Sequence, residues 1–125
     1  LPQTDAAVVR RRLNLWYRQR AKDYFGRRLA DIAADMPWLQ QVPLLKLLTM
    51  RKQWGSCSPA GIITLNPWLI RAPRDCIDYV ITHEVCHLQE HNHSKRYYQL
   101  LEKYFPGWQS VKNRLDGLAE LLLQA

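Results

Sequence analysis

Apolar residues in the first third of the chain recur at helical spacing. Val8, Val9, Leu13, Leu15, Trp16, Tyr24, Leu29, Ile32 and Ala33 form a broken stripe among arginines and predict a helix from about Thr4 to Met36. Thr4 or Asp5 can cap its start, Gly26 weakens its middle enough to divide it, and Pro37 stops it. The pattern then changes. Leu44 to Met50 is a short apolar run that fits a buried strand, Arg51 to Gly61 is rich in turn residues, and Ile62 to Leu65 is a second strand candidate. Two strands joined by such a loop predict an antiparallel hairpin.

Helical periodicity returns from Asp75 to Gln89, where Ile77, Val80, Ile81, Val85 and Leu88 recur at spacings of three and four, with Pro73 placed for the first turn. Ser94 can cap a further helix to about Phe105, Pro106-Gly107 breaks it, and a last helix runs from about Trp108 to Leu123. The expected fold class is α+β: helix-rich, with a small antiparallel sheet beside the Asp75 helix. At 125 residues the chain fits a single domain with room for a real core.

The polar residues interrupting the Asp75 helix carry the candidate chemistry. His83-Glu84-Val85-Cys86-His87 places two imidazoles four residues apart on one helical face, where both can reach a single ion, and sets Glu84 beside it. A zinc held by three protein ligands keeps a fourth position for water, whose proton a neighbouring carboxylate can take during attack on a carbonyl. All four histidines fall between residues 83 and 93. His91 and His93 both compete to be the third ligand. On a continued helix His91 would extend a stripe about 12 Å long, too long for one ion. His93 follows Asn92, which tolerates a left-handed conformation and can end the helix, so His93 is the preferred third ligand.

The cysteines and the charge change the picture less. Cys57, Cys76 and Cys86 are an odd, sparse set that fits reduced thiols, and without an apolar run long enough for a membrane span the expected location is cytoplasmic. Cys86 reads as a small buried residue. Cys57, in a Gly-Ser-Cys-Ser turn, reads as structural although thiolates bind zinc. Eighteen Lys and Arg against eleven Asp and Glu leave a net charge of +7, crowded near the N-terminus in Arg10, Arg11, Arg12, Arg18, Arg20, Lys22, Arg27 and Arg28. This predicts a solvated helix face first and a nucleic-acid or acidic partner second.

Several strings together carry a resemblance. Gln53-Trp54-Gly55-Ser56-Cys57-Ser58, Ile63-Thr64-Leu65-Asn66, Asp78 through Leu88, Asn92-His93-Ser94 and Tyr97-Tyr98 resemble the YgjP-like family of metal-dependent hydrolases. That family is placed among zincin-type metallopeptidases and is related in pattern to SprT-like proteins. The resemblance implies a zincin-like fold, one zinc ion on His83, His87 and His93, and Glu84 as base. Family members often carry a β-rich portion before the helical part, whereas the sequence here starts with the helical part, as a short member or a fragment of a longer chain would. They also tend to show Phe-Trp where this chain has Tyr97-Tyr98. The spacing of the three histidines also equals that of the metzincins. Glu90 stands at the metzincin glycine, however, and no methionine follows the site.

The leading expectation is a zinc peptidase or amidase that holds an extended peptide on a sheet edge, either Leu44 to Met50 or Ile62 to Leu65. Tyr97 or Tyr98 is a candidate oxyanion stabiliser, against helix packing as the simpler role. The alternative is a basic nucleic-acid-binding module with a structural metal, or a protease recruited to nucleic acid by its charge.

Overall fold

The structure is a computed structural model that describes residues 2–123. The first helix, α1 (Pro2–Ala34), is unbroken. Gly26 does not divide it, because one interior glycine costs only about 1 kcal/mol and Phe25 and Leu29 on either side are fully buried. Ala21, Phe25, Leu29 and Ala33, each four residues apart, form the face that enters the core. The expected stripe does not continue toward the N-terminus: Val9, Leu13, Leu15 and Trp16 are each about half exposed or more. Arg28 fixes α1 to the metal-motif helix through a two-pronged pair, Nε to Asp78 Oδ1 at 2.8 Å and Nη2 to Asp78 Oδ2 at 3.2 Å.

Three short strands follow: β1 (Leu44–Leu47), β2 (Gly55–Cys57) and β3 (Ile62–Leu65), in the order β1-β3-β2. The two expected strands do pair, but in parallel, with Leu44 opposite Ile62. The antiparallel partner of β3 is β2, which lies in the stretch the turn residues marked as loop. The sheet is therefore mixed. Gly55-Ser56-Cys57 has no apolar alternation to announce a strand; it pairs because the hairpin turn Ser58–Gly61 folds it back onto β3. Gly61 closes that turn at φ 88°, donating its N–H to the Ser58 carbonyl at 2.9 Å. Strand alternation sends Ile63 and Leu65 of β3 into the core, and the register sets Cys57 and Gly55 beside them.

Asn66 holds the loop before β2 to the end of β3. Fully buried, it donates from Nδ2 to the carbonyls of Met50 (2.7 Å) and Gln53 (3.1 Å) and accepts from Trp68 N–H at Oδ1 (3.2 Å). That last bond caps a 3-10 helix (Pro67–Arg71), which leads into α2 (Arg74–Cys86). Next come α3 (Lys95–Tyr104), capped by Ser94 Oγ as expected, and α4 (Trp108–Leu123). α2 is the central element, packed by α1, α3, α4 and the sheet, and nine of its thirteen residues are buried. Arg114 of α4 pairs with Asp75 in its first turn. The architecture is a helix-rich α+β domain with a small sheet beside the histidine helix.

Asn66→Ala removes three hydrogen bonds at once and leaves two carbonyls without their donor. We expect it to lower unfolding stability by on the order of 3 kcal/mol in urea titration. A loss below about 0.5 kcal/mol would contradict the stitching role.

Candidate metal centre

α2 ends earlier than its apolar period implies. Cys86 is its last residue, and the chain then tightens: the amide of His87 bonds the carbonyl of Glu84 at 3.1 Å, that of Leu88 bonds Val85, and that of Glu90 returns to Cys86. Asn92 is not the helix terminator expected from its type, and no non-glycine residue among those described has a positive φ. It is the tight turn over His87 to Gln89 that sends the chain back, and Ser94, capping α3, fixes where His93 stands.

This path brings three imidazoles together. One ligand atom from each of His83, His87 and His93 lies within 4.8 Å of the other two. His93 Nε2 is 2.9 Å from His87 Nε2 and 3.4 Å from His83 Nε2. Two nitrogens bound tetrahedrally at zinc distances sit about 3.3–3.4 Å apart, so the cluster has the size such an ion requires. Its protonation fits too. His87 Nδ1 lies 3.1 Å from the Glu90 carbonyl, which can only accept, so Nδ1 carries the hydrogen and Nε2 presents its lone pair to the cluster. His83 Nδ1 is 3.3 Å from Tyr79 Oη, leaving its Nε2 for the same centre. Nitrogen lone pairs converging this closely repel unless a proton or a cation lies among them. His91 is exposed and outside the cluster, although it reaches the same cleft.

Burial sets the electrostatics. It pushes the His83 imidazole down to about 4, with the neighbouring His87 and His93 adding to the effect, and lowers His87 as well. Both rings are therefore neutral near pH 7, the form that binds metal. Glu84 is 8% exposed, and burial pushes its carboxyl up to about 7. It lines a cleft of about 640 Å³ together with the three histidines and β2.

The other predicted residues take supporting places. Tyr97 is fully buried, its ring stacked on His87 with centroids 4.5 Å apart. Its hydroxyl donates to the His83 carbonyl at 2.8 Å, replacing the His87 amide that the tightened helix end turned away. A hydroxyl held in the core by that bond does not reach an oxyanion, so the expectation for Tyr97 gives way to the packing role. Tyr98 is 40% exposed and stacks between His93 and Trp108. Cys57 points inward from β2, its thiol raised by burial and by Glu84, and donates weakly to the Ser58 carbonyl. It stays outside the nitrogen cluster.

Three supports were not foreseen. Tyr79 precedes His83 by one helical turn, a spacing that could have revealed it. The Glu90 carbonyl left no sequence signal, because any residue supplies one. By residue type Gly55 is a turn former. A Cβ there would sit 3.2 Å from Glu84 Cγ, 3.0 Å from Leu65 Cδ2 and 3.2 Å from the Thr64 carbonyl. Glycine lets β2 lie flat against the carboxylate side chain, and the Trp-Gly-Ser-Cys string was the available clue.

Burying Glu84 has a cost that pH exposes. The unfolded carboxyl ionises near 4.5 and the folded one near 7, so the metal-free protein loses stability as pH rises between those values, and the loss saturates above them. Glu84→Gln removes the titration. After chelation, the variant is expected to match the parent near pH 4.5 and to exceed it by on the order of 3 kcal/mol at pH 8 in urea titrations. Equal stability at pH 8 would contradict the buried placement.

Solved structures share this fold. The zymogen of the metallopeptidase abylysin from Pyrococcus abyssi superposes with a TM-score of 0.61 at 23% identity, over 81% of this chain and 94% of that one. The zymogen of jannalysin from Methanocaldococcus jannaschii gives 0.58 at 19% identity, over 81% and 96%. At these identities the likeness is one of fold, a zincin-like metallopeptidase fold. No curated protein matches the sequence. The YgjP-like metallopeptidase domain matches residues 1–117, and the chain belongs to the YgjP-like family.

Proposed function

We propose that this chain is a zinc-dependent peptidase in which His83, His87 and His93 hold one ion and Glu84 is the general base. The observation that carries this reading is the convergence of three imidazole nitrogens within 4.8 Å in a cleft that also exposes the edge of a buried carboxyl. Three imidazole nitrogen donors suit zinc better than the oxygen-seeking magnesium or calcium. A zinc ion held there supplies a positive charge that polarises a substrate carbonyl and makes a nearby water acidic.

Glu84 does the proton work. A carboxylate on the wall of the same cleft can accept the proton of the attacking water and return it to the leaving nitrogen. Tyr79 and the Glu90 carbonyl hold the outer nitrogens of His83 and His87, so the inner ones keep their direction. Tyr98, whose hydroxyl has no protein partner among the described residues, is the phenol left to meet an oxyanion.

The edge we propose for the substrate is β2 rather than Leu44 to Met50 or Ile62 to Leu65. β3 is the central strand, paired on both sides, and β1 is the edge away from β2. β2 has a free edge and lines the cleft, so an extended peptide added to Gly55–Cys57 would place its backbone beside the histidines. Among the described residues no helix is long and apolar enough to cross a membrane. Three free thiols support a reducing, cytoplasmic setting.

Glu84→Gln and His93→Ala separate the roles. With a mixed fluorescence-quenched peptide library as substrate, Glu84→Gln is expected to keep one equivalent of zinc while hydrolysis falls at least about 100-fold. His93→Ala should lose both zinc and activity. Undiminished hydrolysis by Glu84→Gln would refute the general-base assignment.

A further inference from the structure

Arg11, Arg18, Arg20 and Arg27 of the basic N-terminal set, together with Arg74, line a groove beside α1. Two neighbouring cavities, of about 320 and 420 Å³, lie beside α1 and share Tyr17. Arg20, Arg27 and Arg74 line the first, and Arg11 and Arg18 the second. Tyr17, Tyr24 and Trp68 stand among these cations on the cavity walls. Tyr17 is 5.8 Å from Trp68 between ring centroids; Arg20 lies over Trp16 at 5.0 Å, Arg27 over Tyr24 at 5.9 Å and Arg71 over Trp68 at 5.5 Å.

Among the described residues, none of these arginines forms an ion pair; the arginines that do are Arg28 and Arg114. Asp23 is the one acidic residue on the walls of either cavity. Like charges set close together raise the energy of the free protein, and an anionic partner relieves that repulsion. The rings narrow the choice of anion. A recessed line of cations could attract any polyanion, but tilted aromatic faces at intervals along it match a chain that alternates phosphates with planar bases. A bilayer surface would meet protruding side chains rather than a recess, and an acidic protein has no need of exposed ring faces.

We infer that the groove between α1 and the 3-10 helix binds single-stranded nucleic acid, with bases stacked on Tyr17 and Trp68 and phosphates held by the flanking arginines. Arg11 to Arg27 spans about 24 Å of helix axis, room for a strand of at least about four nucleotides. The groove shares no lining residue with the histidine cleft. It therefore holds the domain on a strand while leaving the cleft open, and it stands or falls independently of the peptidase reading.

The test is fluorescence anisotropy of the whole chain with labelled oligothymidylate of about 12 nucleotides, as a function of salt. The triple substitution Arg20→Ala, Arg27→Ala and Arg74→Ala should weaken binding at least about tenfold and flatten the slope of log affinity against log salt by about 2. Tyr17→Ala, which leaves charge unchanged, should weaken it at least about fivefold. The matched triple Lys95→Ala, Arg96→Ala and Lys103→Ala on α3 should change affinity less than about twofold, and circular dichroism verifies that each variant is folded. Absence of binding, equal losses in the two triples, or no effect of Tyr17→Ala each overturns the inference. So does binding to phosphatidylserine vesicles with no binding to the oligonucleotide.

Discussion

A helix buried on nearly every side carries His83 and Glu84, and that constraint organises the rest of the molecule. α2 must satisfy each polar atom from within the protein, since water does not reach its interior face. Thr82 returns its hydroxyl to the Asp78 carbonyl, Tyr97 supplies the hydrogen that the His83 carbonyl loses at the tightened helix end, and the Glu90 carbonyl takes the His87 hydrogen. Among the described residues no buried side-chain nitrogen or oxygen lacks a partner. The groups of α2 that face the cleft are the inward imidazole nitrogens and the desolvated Glu84 carboxyl.

The same burial explains why the neighbours are so specific. Gly55 is bare because β2 must approach the Glu84 side chain, and Asn66 is polar in the core because the loop leading to β2 needs its carbonyls bound. Arg28 and Arg114 grip α2 from α1 and α4 through Asp78 and Asp75, at positions away from the histidine face. Rigidity is thus assembled around the three histidines rather than in them, the condition for imidazole nitrogens to hold their direction.

Much of this was readable from side-chain type and spacing. The helices from Ser94 and Trp108 appear where their caps and periods put them, and His83 and His87 meet because four residues make about one turn. The failures have physical causes. β2 is a strand by virtue of its partner, and Gly-Ser-Cys has no intrinsic preference that announces this. The parallel pairing of β1 with β3 depends on where the intervening loop runs, which Asn66 sets through backbone carbonyls invisible in the sequence. His93 arrives at the cluster through a tight turn after Cys86, not through Asn92, because backbone hydrogen bonds closed the helix first. Half of the apolar stripe on α1 proved exposed, since periodicity cannot tell which turns of a long helix have something to pack against.

The central claim is that His83, His87 and His93 form one metal site. Crystals of protein purified without added metal, measured on both sides of the zinc absorption edge, test it most directly. The account predicts a single anomalous peak within about 2.0–2.1 Å of one ring nitrogen from each of the three histidines. A metal peak elsewhere in the molecule, or none after zinc is supplied, would contradict it.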